Sequence, residues 1–191
     1  MNLTIPELVE RFLGGDTVAF TELVRLHQRR IYSVAFRLLG NHLDADEVVQ
    51  ETFVRVYGRR KELQNVASFT SFLMRIATNY AIDLLRKRKG RGSVSDDPAK
   101  LPGTVQMELS RRVRTPSDDF DNQVLMKEIL QALDRLPPRQ KLTAILHDVE
   151  GYTKPEVAAI LNCPEATVRS NLHIARNKLK KILSKRLSTK E

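Results

Sequence analysis

Near its C-terminal end the chain gathers Arg169, Ser170, Asn171, His173, Arg176 and Lys180 within about three helical turns. Side chains of these types can donate hydrogen bonds to base edges and pair with phosphates. Arg reaches guanine bidentately and Asn suits adenine. Bond-making chemistry has no comparable constellation. The sequence holds no G-x-x-x-x-G-K-S/T, no H-E-x-x-H and no G-x-S-x-G. His27, His42, His147 and His173 are scattered, and His147-Asp148 lies before a turn, where a structural or solvent-facing role is expected. Cys163 is the single cysteine, so no intramolecular disulfide can form and a zinc site lacks most of its usual ligands. At a turn between Asn and Pro it reads as a small packing residue. The sequence therefore points away from an enzyme, and neither a metal nor a small cofactor is expected.

The elements that must position the polar set lie in "GYTKPEVAAILNCPEATVRSNLHIARNKLKKIL", which starts at Gly151. Thr153 and Glu156 have the spacing of a capping box, and Pro155 falls in the first turn, where its missing N–H is not needed. Val157, Ala158, Ile160 and Leu161 then face a core. Asn162 can adopt the left-handed conformation that ends a helix, and Pro164 suits the first position of the next. In that second helix Val168, Leu172, Ala175, Leu179 and Ile182 share one face, while Arg169, His173, Arg176 and Lys180 share another. Residues 165–187 carry seven basic side chains against one acidic. A short helix, a tight turn and a basic second helix predict a helix-turn-helix whose second helix enters the major groove.

Over 191 residues the formal charge is +9, which favours a polyanionic partner. No apolar run is long enough to cross a bilayer or to insert into one. The acidic start "MNLTIPELVERF" does not read as a secretory signal. With one cysteine, a reducing cytoplasm is the expected location. "LDADEVVQETFVRVY" repeats Ala45, Val48, Val49, Thr52, Phe53 and Val56 at helical spacing, with Asp44 as the expected cap and Glu47 as its capping-box partner. "SFTSFLMRIATNYAIDLLRKRKG" repeats Phe69, Phe72, Leu73, Ile76, Ala77, Tyr80 and Leu84 in the same way. Gly40-Asn41 and Gly90 supply stops. "GRGSVSDDPAKLPGTVQMELSRRVRTPSDDFDN" has no sustained apolar period and reads as a linker, with one short turn around Met107. The expected fold class is all-α: two small helical domains, 1–89 and 122–191, joined by a flexible linker at 90–121.

The C-terminal stretch resembles region 4 of the extracytoplasmic-function (ECF) group of bacterial RNA polymerase sigma factors. "GDTVAFTELVRLHQRRIYSVAFRLLGNHLDADEVVQETFVRVY" is similar to their regions 2.1 and 2.2, and "FTSFLMRIATNYAIDLLRKRKG" to regions 2.3 and 2.4. The resemblance covers about residues 7–90 and 122–185. It implies a factor that binds core RNA polymerase, directs it to particular promoters and helps to melt them.

Residue by residue, the resemblance implies that "DADEVVQE" grips the clamp helices of the polymerase largest subunit through Asp46, Glu47, Gln50 and Glu51. Leu63, Gln64 and Asn65 match a loop that captures a base flipped from the minus-ten element, and Asn79 matches a contact to the same strand. Arg75, Arg86 and Arg88 would hold phosphates nearby. Thr153 and Lys154, with the polar face of the second helix, would bind the minus-thirty-five element. The sequence departs from the family's usual pattern at Phe72 and Met74, at Leu63 where an aromatic is frequent, at Ala166 for Gly and at Asn171 for Arg. The last change predicts a shift away from guanine at one upstream position. The resemblance also implies an anti-sigma factor, often membrane-linked, as a second partner. A conventional helix-turn-helix regulator is the alternative, but it accounts for residues 122–185 only. A basic membrane-surface protein would need a lipid-facing apolar helix that the chain lacks.

Overall fold

The computed structural model describes residues 3–65, 68–90, 129 and 131–187. Among these the secondary structure is helical, with no strand. Helices α1 (Ile5–Leu13), α2 (Thr17–Leu39) and α3 (His42–Gly58) lead into a 3-10 turn (Arg60–Asn65) and α4 (Phe69–Gly90). Beyond the undescribed segment come α5 (Pro138–Ala144), a π-helical turn (Ile145–Val149), α6 (Lys154–Leu161) and α7 (Glu165–Leu187). The linker expected at 90–121, with its turn around Met107, lies outside the described residues except for Gly90.

Local chemistry explains most helix ends. The Glu7 carboxylate accepts the Thr4 N–H at 2.6 Å and its hydroxyl at 2.7 Å, closing α1 at its start. Asp16 accepts the N–H groups of Val18 and Ala19 ahead of α2. Gly40, at φ 78°, ends α2 by donating to the Phe36 carbonyl at 2.8 Å. A side chain there would be strained by the backbone. The cap of α3 differs from the sequence expectation: it is Asn41, whose Oδ1 accepts the Asp44 N–H at 2.8 Å. Asp44 instead turns inward and pairs with Arg88 at 2.5 Å, tying α3 to α4. Asn directly after the terminating Gly takes the cap first, which moves Asp44 into the helix.

One continuous apolar core runs through both halves of the chain. It joins Phe12, Leu23, Ile31, Val48, Val56 and Leu73 of the first body to Leu142, Ile145, Leu146, Val157, Ile160 and Val168 of the second. Phe12, Phe20, Phe53 and Tyr57 form an aromatic cluster at the α1 end. Helix α4 lies against α6, and α2 against α5 and the π-helical turn, so the two bodies are packed on one another.

His27 is buried in α2, with Nδ1 2.9 Å from the Leu23 carbonyl and Nε2 3.3 Å from the Thr70 hydroxyl. Burial holds the imidazole neutral and pulls its pKa below the ordinary value. The unfolded chain takes up this proton around pH 6.5, so below that pH it binds more protons than the native state. Stability should therefore fall as pH drops from about 7.5 to about 5.5. The matching His27→Gln protein should lose that part of the decline. Equal slopes of thermal midpoint against pH in the two proteins would contradict this role.

Candidate functional site

The helix-turn-helix forms as its local sequence dictates. The Glu156 carboxylate accepts the Thr153 N–H at 2.8 Å and its hydroxyl at 2.7 Å, and Pro155 occupies the first turn. Asn162 adopts φ 48° and ψ 56°, the left-handed stop expected of it, and Cys163 donates to the Ala158 carbonyl at 3.1 Å. Pro164 stands one position before the helix, where its carbonyl accepts from Thr167 and Val168. Val168, Leu172 and Ala175 are buried, which fixes how α7 is rotated.

With about 100° per residue, Ser170 and His173 point away from that buried stripe. Arg169, Arg176 and Lys180 flank it on one side, and all five are exposed. Asn171 does not join them: it is half-buried on the opposite flank. The expectation that it shares a reading face with Arg169 and Arg176 is therefore corrected by the rotation of α7. Lys154 at the start of α6 lines a cleft of about 330 Å³ together with Arg169, His173 and Arg176. That cluster of donors suits a phosphate. Arg176 is held there by Asp148 at 2.5 Å, a hydrogen bond that also raises its pKa. The Thr153 hydroxyl is engaged by its cap. Ile174, exposed on the Asn171 flank of α7 about 40° around from Ser170, was missed in the sequence because a lone apolar residue off the core stripe carries no pattern. It could meet a thymine methyl group.

Helix α4 sorts its basic residues by face. Arg75, Asn79 and Arg86 fall on one stripe about 40° wide, by their spacing of four and eleven. Asn79 and Arg86 are exposed, and the half-buried Arg75 lies 5.6 Å from the Phe72 ring centroid. Arg88 sits about 160° away from Arg86 and is tied to Asp44, so it staples α3 to α4 rather than extending that stripe. Leu63 is also corrected. At 4% exposure it is a core residue of the 3-10 turn beneath α1, with no open side to receive a base. Gln64 beside it is exposed, and Asn65 closes the turn.

On α3, Asp46, Glu47 and Gln50 are exposed and Glu51 is half-buried. Glu47 accepts the Tyr80 hydroxyl at 2.5 Å, and that hydrogen bond pushes the phenol pKa up to about 12. Glu51 pairs with Arg55 at 2.7 Å. Between these polar groups lie two apolar side chains that the sequence reading passed over, Leu43 at 84% and Val54 at 65% exposure. They stand on the same stripe as Glu47 and Gln50, opposite the buried Ala45, Val48 and Thr52. An apolar residue off the core stripe beside an acidic one was the available signal. The result is a mixed acidic and apolar face of the kind that docks a basic amphipathic helix.

Residues 23–91 match the family model for sigma-70 region 2, and residues 126–179 match that for sigma-70 region 4. The chain is 30% identical over 175 residues to the ECF RNA polymerase sigma-E factor of Escherichia coli, covering 91% of each. It belongs to the ECF RNA polymerase sigma factors. This sigma factor is also 29% identical to SigW of Bacillus subtilis, over 96% of its own length and 98% of SigW. It is 34% identical to SigE of Mycolicibacterium smegmatis over 91% of its own length, and spans 66% of that longer relative. Two solved structures share its fold. CnrH, bound to the cytosolic domain of CnrY, superposes with a TM-score of 0.69 at 24% identity, over 93% of this chain and 95% of CnrH. RpoE of Bartonella quintana, bound to the anti-sigma factor NepR, gives 0.66 at 21% identity, over 86% and 96%. As a member of this family the protein is an alternative sigma factor that directs transcription initiation.

Proposed function

We propose that this sigma factor docks on core polymerase through the acidic and apolar face of α3, holds melted minus-ten DNA along α4, and reads the minus-thirty-five element with α7. It acts as a non-catalytic subunit of the initiating enzyme in the bacterial cytoplasm. The observation that carries the reading is the α6–α7 unit, a capped helix, a left-handed Asn162 stop and a second helix whose exposed side is polar and basic. On α4, the stripe of Arg75, Asn79 and Arg86 faces the single strand, with Gln64 and Asn65 at its entrance. Extruding a base costs a few kcal/mol, which these contacts offset. On α7, Ser170 and His173 meet base edges, while Lys154, Arg169, Arg176 and Lys180 hold phosphates. An anti-sigma factor, the class of protein with which RpoE was solved, is the second partner.

Selection of promoters from a library with a randomised upstream element, using reconstituted holoenzyme, tests the assignment. His173→Ala should relax base preference at one position by about 1–3 kcal/mol. Lys180→Ala should weaken all promoters alike and flatten the salt dependence by roughly one phosphate. Asn171→Arg, on the far flank, should leave the selected sequence as it is. A changed base preference with Asn171→Arg and none with His173→Ala would rotate the reading face away from the one assigned.

A further inference from the structure

Arg176 is gripped side-on by Asp148, which lies 28 residues earlier in the chain. Its Nε donates to Asp148 Oδ2 at 3.3 Å and its Nη2 to Oδ1 at 2.5 Å. The neighbouring Arg169 is held differently. Its partner Glu165 belongs to α7 itself and takes both contacts, at 3.2 and 2.6 Å, on the single oxygen Oε1. Asp148 comes instead from the π-helical turn. There the Glu150 N–H closes on the Ile145 carbonyl at 2.9 Å, and the Tyr152 N–H on the Leu146 carbonyl at 3.0 Å. Ile145 and Leu146 are fully buried, and His147 Nδ1 lies 2.7 Å from the Tyr152 carbonyl. The wide turn is anchored on both sides of Asp148 and holds its carboxylate against α7. Buried Leu172 and Ala175 fix the backbone that carries Arg176.

This pair is not a staple of the kind that joins Arg88 to Asp44. The Arg176 side chain remains 56% exposed and lines the cleft with Lys154, Arg169 and His173. Asp148 engages Nε and Nη2, which leaves both N–H groups of Nη1 for another acceptor. On charge alone a carboxylate at this cleft is a handicap, because it repels the phosphates that the cleft attracts. On geometry it is an advantage. A free arginine side chain loses conformational freedom when it binds, a factor of up to roughly thirty. One that is already held loses less. Resting on the reading of α7 as the helix that binds the minus-thirty-five element, we propose that Asp148 is a positioning residue: it presents the free Nη1 edge of Arg176 to a DNA phosphate.

The two effects have opposite signs, and Asp148→Asn separates them. The amide keeps the size of the side chain but loses its charge and one of its acceptors, so the two-point grip cannot form. Binding of reconstituted holoenzyme to a fluorescent promoter duplex is followed by anisotropy over a range of salt, at a temperature low enough to keep the duplex closed. Asp148→Asn should weaken binding about three- to tenfold, within the ceiling set by arginine's side-chain freedom. It should also flatten the salt dependence by up to about one phosphate. Duplexes that differ in upstream sequence should be weakened alike, because a phosphate contact carries no sequence information. The thermal midpoint should move by about 2 °C or less, since an exposed ion pair adds little to stability. In an Arg176→Ala background the same change should cost nothing or tighten binding slightly, because a negative charge is lost and no guanidinium remains to be aimed. Unchanged or tighter binding by Asp148→Asn alone overturns the positioning role. So does an equal loss with and without Arg176, which would mean that Asp148 acts through the fold. If Arg176→Ala itself binds as tightly as wild type, the phosphate contacts assigned to α7 fail first, and the proposal falls with them.

Discussion

Core polymerase is expected to disappear from pull-downs when Asp46, Glu47 and Glu51 are all reversed to Lys. These carboxylates share the outward side of α3 with Gln50, Leu43 and Val54. Reversal places three positive charges against a partner helix that the acidic face is suited to attract. Like-charge juxtaposition in an interface costs several kcal/mol, so affinity should fall by at least about a hundredfold. The fold should be little affected, since Asp46 and Glu47 are exposed and the half-buried Glu51 loses only its pair with Arg55 one turn on, changes typically worth about 0.5 kcal/mol or less each. The largest local loss is the hydrogen bond from Tyr80 to Glu47. Removing that partner should bring the phenol pKa back down from about 12 towards its ordinary value. Fluorescence-detected titration of polymerase with the labelled triple variant, beside the exposed α1 control Glu10→Lys, measures the effect. Undiminished binding by the triple variant would remove α3 from the docking surface.

Leu63→Ala should be the most destabilising of the changes in the minus-ten half. The side chain is buried in the 3-10 turn below α1, and truncating a buried Leu costs about 2–5 kcal/mol because the cavity relaxes only in part. For a chain of this size that amounts to a drop in thermal midpoint of about 5–15 °C. Well below that midpoint, promoter melting read by permanganate reactivity should be close to wild type. A base-capturing Leu63 would give the reverse pattern, an unchanged midpoint with melting impaired. Gln64→Ala supplies the complementary arm, because Gln64 is exposed and can be truncated without opening the core.

The contrast between Leu63 and the helix-turn-helix shows what the sequence could disclose. Thr153, Glu156, Asn162 and the Val168–Leu172–Ala175 stripe obey rules that act within a turn or two of helix. Their caps, stop and buried face follow from residue type and spacing. Asp44 misled because Asn41, three residues earlier, competed successfully for the same capping role. Leu63 misled because its burial is set by α1, about fifty residues distant in the chain. Asn171 shows a subtler limit. The helical period orders side chains around α7, but only the packing of α7 on its neighbours says which of them remain exposed. The partners of Arg88 and Asp148 could not be read at all, since each lies across a gap that no local pattern spans.

On the function proposed above, this chain converts core polymerase into a promoter-selective enzyme. The most direct test of this conversion is run-off transcription from a genomic promoter library, with purified core enzyme and the wild-type protein as the only added factor. Discrete transcripts are expected whose start sites share paired upstream elements at a fixed spacing, absent with core alone and absent with the Asp46, Glu47 and Glu51 reversal. Transcription that stays at the core-alone background, or that gains activity without any shared upstream sequence, would contradict it.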